Sequence, residues 1–160
     1  MDDTLKIRRL LMDSIFEVFE KMFYLFLEPL DGEAGEYRYE ASINFHGPYK
    51  GELAALFSRP LAQAMVENML SIEETEIREE LLEDCLKESV NMICGNFLRK
   101  FDASKVFDLS MPVFISCGPE TGRSAASFAG PVLTLNFAGG QGEMRIVMTA
   151  PDILGSAGKG

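Results

Sequence analysis

The chain has 160 residues, a net charge of −10 and a hydrophobic fraction of 47%. That length suits one domain with its own core, and that charge argues against a nucleic-acid partner. No apolar run is longer than Met22 to Leu27, far short of the ~20 residues a membrane-spanning helix needs.

Residues 4–27 read as a helix, because Ile7, Leu11, Ile15, Phe19, Met22 and Phe26 recur at spacings of three and four and so share one face. Asp2 and Asp3 stand where the helix dipole favours negative charge. Asp2, Asp3, Arg8, Arg9 and Asp13 interrupt the apolar pattern of the N-terminus. A secretory signal peptide needs an uninterrupted apolar centre, so the protein is expected to be cytoplasmic. "EPLDGEAGE" ends the helix with Pro29 and Gly32.

"YRYEASINFH" alternates, with Tyr39, Ala41, Ile43 and Phe45 on one side and Arg38, Glu40, Ser42 and Asn44 on the other. That is the pattern of a half-buried strand. "HGPYKG" turns it, with His46 as a turn residue, and 49–58 returns as a second strand with Leu53, Ala55 and Phe57 inward. A short helix follows, capped by Ser58 and opened by Pro60.

A long helix is expected from Ser71 to Lys100, begun by a capping box of Ser71 and Glu74 or by Thr75. Arg99 and Lys100 suit its C-terminal dipole. The acidic run at its start reads mainly as a solvated face. "VFDLSMPVFIS" then alternates, with Phe107, Leu109, Met111, Val113 and Ile115 on one side. Pro112 cannot donate to a ladder, so this strand lies at an edge or is bulged there. "CGPETGRS" is a loop, and a hairpin turns around Gly139, Gly140 and Gly142. Residues 1–150 form the domain, and 151–160 are expected to be a frayed tail. The order of elements is a loose pseudo-repeat and argues α+β: an antiparallel sheet with helices packed on one face.

Three cysteines, Cys85, Cys94 and Cys117, have neither metal-site spacing nor an even count for disulfides. They read as small buried apolar residues. A single histidine leaves little on which to build a zinc site or a Cys-His nucleophile. The chain has no GxxxxGK[ST], GxGxxG or GxSxG motif.

The informative stretch is "LEDCLKESVNMICGNFLRK", residues 82–100. On a helical wheel with Asp84 at zero, Glu88 falls at about 40°, Asn91 at about −20° and Gly95 at about 20°. Leu82, Leu86, Val90, Ile93 and Phe97 cluster opposite, between about 160° and 240°. The stripe Asp84–Glu88–Asn91–Gly95 therefore faces away from the core. A glycine inside a helix costs about 1 kcal/mol against alanine, and here it leaves a bare patch that a partner can approach. Leu98, at about 320°, is expected to add an exposed apolar contact. Carboxylate, amide, bare backbone and leucine together make a docking surface.

Asp84-x-x-x-Glu88-x-x-Asn91, continued by "NMICGN" and by Pro112 in "DLSMPVFIS", resembles the signature of the CheC/CheX/FliY chemotaxis phosphatases. Twenty residues lie between Asn91 and Pro112, slightly fewer than is usual in the family. No second Glu-x-x-Asn occurs in the first half, where Asn68 is preceded three residues earlier by Met65. The chain therefore looks most like CheX, and a pseudo-repeated CheC/CheX-like architecture is implied.

The resemblance implies a phosphatase that removes the phosphoryl group from the phospho-aspartate of a CheY-like response regulator. Asn91 would position the attacking water and Glu88 would pair with the regulator's active-site lysine. Asp84, Gly95, Leu98 and Pro112 would border or support the contact. The resemblance also implies a homodimer, and a Mg²⁺ ion that belongs to the regulator rather than to this chain. The alternative is a noncatalytic module that binds a response regulator or a flagellar switch component.

Overall fold

The computed structural model describes residues 3–31, 36–116, 132–140 and 142–155. Its helices are α1 (Asp3–Met22), α2 (Arg59–Leu70) and α3 (Glu79–Phe101). Its strands are β1 (Glu28–Pro29), β2 (Tyr39–His46), β3 (Gly51–Phe57), β4 (Asp108–Leu109), β5 (Val113–Ser116), β6 (Val132–Gly139) and β7 (Gly142–Thr149). The seven strands form one sheet in the order β1-β6-β7-β3-β2-β4, with β5 also on β2, and every pairing is antiparallel. Helices and sheet enclose one main apolar core, so the architecture is the α+β arrangement expected from the sequence.

The alternation in the sequence sets which sheet face is dry. Tyr39, Ala41, Ile43 and Phe45 on β2 and Leu53, Ala55 and Phe57 on β3 all enter the core. The opposite face is drier than the polar half of the pattern suggested. Tyr37, Ala54, Leu56 and Val147 form a second small cluster, and Glu40 is only 1% exposed. The guanidinium of Arg145 lies 5.4 Å from the centre of the Tyr37 ring.

α1 stops at Met22, short of the expected 27. Tyr24 takes a left-handed conformation, φ 53°, which an aromatic residue adopts only where its surroundings impose it. The Phe23 and Leu25 amides both donate to the Phe19 carbonyl at 3.1 Å, and Asn68 on α2 donates to the Phe23 carbonyl at 2.8 Å. Carbonyls at a helix end need partners, and a side chain 45 residues away supplies one. In consequence Phe26, expected inward, is 76% exposed, and Phe23 is buried in its place.

Ser58 caps α2 as expected, its hydroxyl accepting from the Leu61 amide, an arrangement worth about 1 kcal/mol. Ser71 does not start the next helix. It ends α2 in a left-handed conformation, φ 55°, with its amide donating to the Glu67 carbonyl. A capping box of Glu73 and Glu76 instead opens a single 3₁₀ turn, Glu74–Glu76, and α3 begins at Glu79 behind Arg78.

Pro112 interrupts the strand at the end of the sheet. Phe45 pairs with Leu109 and Ser42 with Val113, so three steps along β2 match four along its partner. The extra residue is a bulge, and a one-residue offset exchanges the faces of a strand. Met111, Val113 and Ile115, expected on one side with Phe107 and Leu109, are exposed. Phe114 turns inward instead and stacks on Tyr39 with ring centres 5.8 Å apart.

β6 and β7 form the expected hairpin, closing at the Gly139–Gly142 pair, and Gly140 supplies the positive φ of 56° that the turn requires. The expected tail begins differently. Pro151–Gly155 forms a π-helical turn that buries Ile153 and Leu154 in the main core. Residues 156–160, the loop expected at 117–124 and Cys117 lie outside the described residues.

Candidate functional site

α3 is held by its apolar side. Leu82, Leu86, Val90, Ile93 and Phe97 are all buried in the core, and the helix packs on β2, β3, β5, α1 and α2. Truncating one such side chain to alanine typically costs about 2–5 kcal/mol, so this face strongly sets the rotation of the helix. A polar link to α1 reinforces that setting. Asn96 Nδ2 donates to Glu17 Oε1 at 3.1 Å, Arg99 donates to Asn96 Oδ1, and Lys100 Nζ lies 3.6 Å from Glu17 Oε1.

With the helix so placed, Asp84 and Glu88 are exposed and Asn91 and Gly95 are half-buried along one stripe. Lys87 pairs with Glu83 at 2.7 Å. Among the described residues Asp84, Glu88 and Asn91 have no side-chain partner. The amide of Asn91 and the carboxylate of Glu88 therefore stand on one stripe of the helix, with no hydrogen bond or ion pair among the described residues. A side-chain amide both accepts and donates hydrogen bonds, and a carboxylate accepts only. Such a pair can hold a water molecule and meet a cation.

Among the described residues no packing contact requires a glycine at 95. A Cβ built there would meet nothing nearer than Arg99 Nη1 at 3.9 Å. Unlike Gly51, where the same Cβ would collide with the Phe45 ring and the Thr149 carbonyl, it is not needed for packing.

Leu98 is not the exposed contact that the wheel predicts. It is 4% exposed and belongs to the main core. The wheel position was right for an isolated helix, but the chain returns after α3 and lays Phe107 and Leu109 against the core beside it. Pro112 is half-buried at the bulge between β4 and β5, on the strand edge next to β2.

The sequence reading missed what surrounds the C-terminal end of the stripe. Gly95, Leu98, Arg99, Lys105, Phe107 and Leu109 line a cleft of about 210 Å³. The signal available in the sequence was the pair of cations, Arg99 and Lys105, in so acidic a chain.

Other chemistry finds little support. Burial pushes the Cys85 and Cys94 thiols up to about 12, so neither is a nucleophile near neutral pH. His46 ends β2 and lies 3.7 Å from Asp108, remote in sequence from the stripe. Among the described residues no group of three His, Cys, Asp or Glu side chains is placed to hold a metal ion. No described helix is long and apolar enough to cross a membrane.

The profile of the family described as chemotaxis phosphatase CheX matches residues 39–135, a span containing the whole stripe and Pro112. No curated protein matches the chain in sequence. Among solved structures, the chemotaxis protein CheX of Vibrio vulnificus is 24% identical with a TM-score of 0.77, over 90% of this chain and 95% of its own. CheX of Desulfovibrio desulfuricans is 19% identical with a TM-score of 0.75, over 91% and 99%. The Borrelia burgdorferi structure is a CheX–CheY–BeF₃–Mg²⁺ complex, 18% identical with a TM-score of 0.69, over 89% and 96%. The chain belongs to the CheX family of chemotaxis phosphatases.

Proposed function

We propose that this chain dephosphorylates the phospho-aspartate of a CheY-like response regulator, using the stripe on α3. The observation that carries the reading is the pair Glu88 and Asn91, exposed or half-exposed one turn apart and without a hydrogen bond or ion pair among the described residues. The Borrelia burgdorferi CheX–CheY–BeF₃–Mg²⁺ complex supports a partner of the CheY kind.

An acyl phosphate is already labile in water, so positioning supplies most of what a catalyst must add. Asn91 reaches into the regulator's active site, and its amide oxygen accepts a hydrogen bond from the attacking water. The water oxygen bonds to phosphorus as the bond from phosphorus to the aspartyl oxygen breaks. The aspartate leaves as carboxylate and the water's proton passes to the released phosphate. Glu88 pairs with the regulator's active-site lysine and fixes the register of docking. Asp84 and Gly95 border the contact, and Pro112 shapes the surface beside it. The Mg²⁺ ion is a ligand of the regulator, where it offsets charge on the phosphoryl oxygens.

The chain acts in the cytoplasm as a homodimer. The exposed apolar side chains of Met111 and Val113 at the β4–β5 end of the sheet support a contact between copies there.

The test is loss of the phosphoryl group from a phosphorylated CheY-like regulator in the presence of Mg²⁺. Wild-type protein accelerates the loss. Asn91→Ala retains binding and lowers the rate by about a hundredfold, the scale of a misplaced reactant. Unchanged rates in both Glu88→Ala and Asn91→Ala would sink the assignment. Binding without acceleration by wild type would leave a noncatalytic binding module.

A further inference from the structure

We infer that the cleft at the C-terminal end of the stripe receives an apolar side chain of the response regulator that is flanked by carboxylates. This rests on the proposed docking of α3. It adds a second anchor, separate from Glu88 and Asn91, that selects among regulators sharing the same active-site chemistry.

The cleft of about 210 Å³ is continuous with the stripe through Gly95, which lines both. Its apolar lining is Leu98, Phe107 and Leu109, all packed against or within the main core. A pocket backed by a packed core keeps its shape, so an inserted side chain gains burial without ordering the pocket first. The floor therefore specifies an aliphatic or aromatic occupant.

The rim specifies its neighbours. Arg99 and Lys105 are exposed at the cleft; Arg99 donates one Nη2 hydrogen bond to Asn96, and neither cation forms an ion pair with a described carboxylate. The acid at the rim, Asp102, is turned to its own loop, where Oδ1 accepts from the Ser104 amide at 3.2 Å and from the Ser104 hydroxyl at 2.6 Å. The cleft thus presents positive charge on a chain whose net charge is −10. Arg99 also borders the bare backbone at Gly95, with Nη1 3.9 Å from the position of an added Cβ, where a planar guanidinium can take a carboxylate in two-point fashion. Stripe and cleft together are therefore bipolar: carboxylates at Asp84 and Glu88, cations at Arg99 and Lys105. That polarity fixes the direction in which a regulator lies along α3 and penalises one docked in reverse.

The experiment measures binding separately from turnover. A panel of CheY-like regulators is activated with beryllofluoride and Mg²⁺, and affinity is measured for wild type, Lys105→Glu and Ala103→Trp. Both substituted positions are exposed, so the fold is retained, and circular dichroism checks it. Lys105→Glu reverses the rim charge and Ala103→Trp fills the cleft from its margin. Both are expected to weaken binding by about tenfold, Lys105→Glu with a reduced salt dependence. Unaltered affinity in both overturns the inference, and if wild type still accelerates phosphoryl loss the proposed activity stands without it. Weakened binding with no acceleration by wild type supports the cleft and removes the activity. A wild type that binds no member of the panel overturns both.

Discussion

Asn96 donates to the Glu17 carboxylate across the α1–α3 interface at 3.1 Å, and this bond separates two asparagines of one helix by their use. Asn96 is buried and tied to α1, with Arg99 donating to its oxygen. Asn91, just over one turn earlier, is half-buried and without a side-chain partner among the described residues. The first asparagine helps to hold the helix in rotation and the second is what the rotation presents.

Stability separates the two. Asn96→Ala leaves a carboxylate short of a donor and is expected to cost about 1–3 kcal/mol. Asn91→Ala stays within about 0.5 kcal/mol of wild type, as surface substitutions do. Urea denaturation followed by circular dichroism reads both. Equal losses would mean that Asn91 is also used by the fold.

Gly95→Ala is expected to stabilise the free protein by about 0.5–1 kcal/mol, because helix propensity improves and the new methyl group meets only Arg99 at 3.9 Å. The same variant is expected to bind the activated regulator more weakly. Melting temperature and regulator affinity should move in opposite directions. A gain in stability with unchanged affinity would remove Gly95 from the contact.

Leu98→Ala tests the correction made by the tertiary structure. A core leucine costs about 2–5 kcal/mol on truncation to alanine, whereas an exposed one costs little. The structure puts Leu98 in the first class, and chemical denaturation checks the size of the loss. A change below about 0.5 kcal/mol would return Leu98 to the surface.

Cys85 and Cys94 should resist a thiol reagent in the native protein at pH 8 and react on unfolding, read in a Cys117→Ser background. Burial raises both thiols from 9.0 to about 12 in the folded state. Each therefore keeps its proton when folded and loses it when unfolded between those values. Stability falls as pH rises through that window, by up to about 1.4 kcal/mol per unit for each thiol. Alanine at either position should flatten the fall, and fast labelling of native protein would contradict the burial.

The sequence was most legible where a face depends on local period. The alternation over Tyr39–Phe45 and over Leu53–Phe57 named the inner face of β2 and β3. The three- and four-residue spacing of Leu82 to Phe97 named the buried side of α3 and, by exclusion, the exposed stripe. Boundaries and phases were less legible. Ser71 has the residue type of a helix start and serves as a helix stop, because its conformation is settled by α2 before it. The wheel gave Leu98 to the surface because it contains one helix and no neighbours.

By itself, then, the sequence determined that an antiparallel sheet is covered by amphipathic helices, and that Asp84, Glu88, Asn91 and Gly95 share one side of α3. Those properties follow from side-chain periods of two and 3.6 residues, which any short window contains. Only the tertiary structure decided that α1 ends under Asn68, that the bulge at Pro112 turns Val113 outward and Phe114 inward, and that Leu98 packs into the core while Phe107 and Leu109 line a cleft with it beside Gly95. Each of these is a contact between segments distant in the chain, and no local period carries the position of its partner.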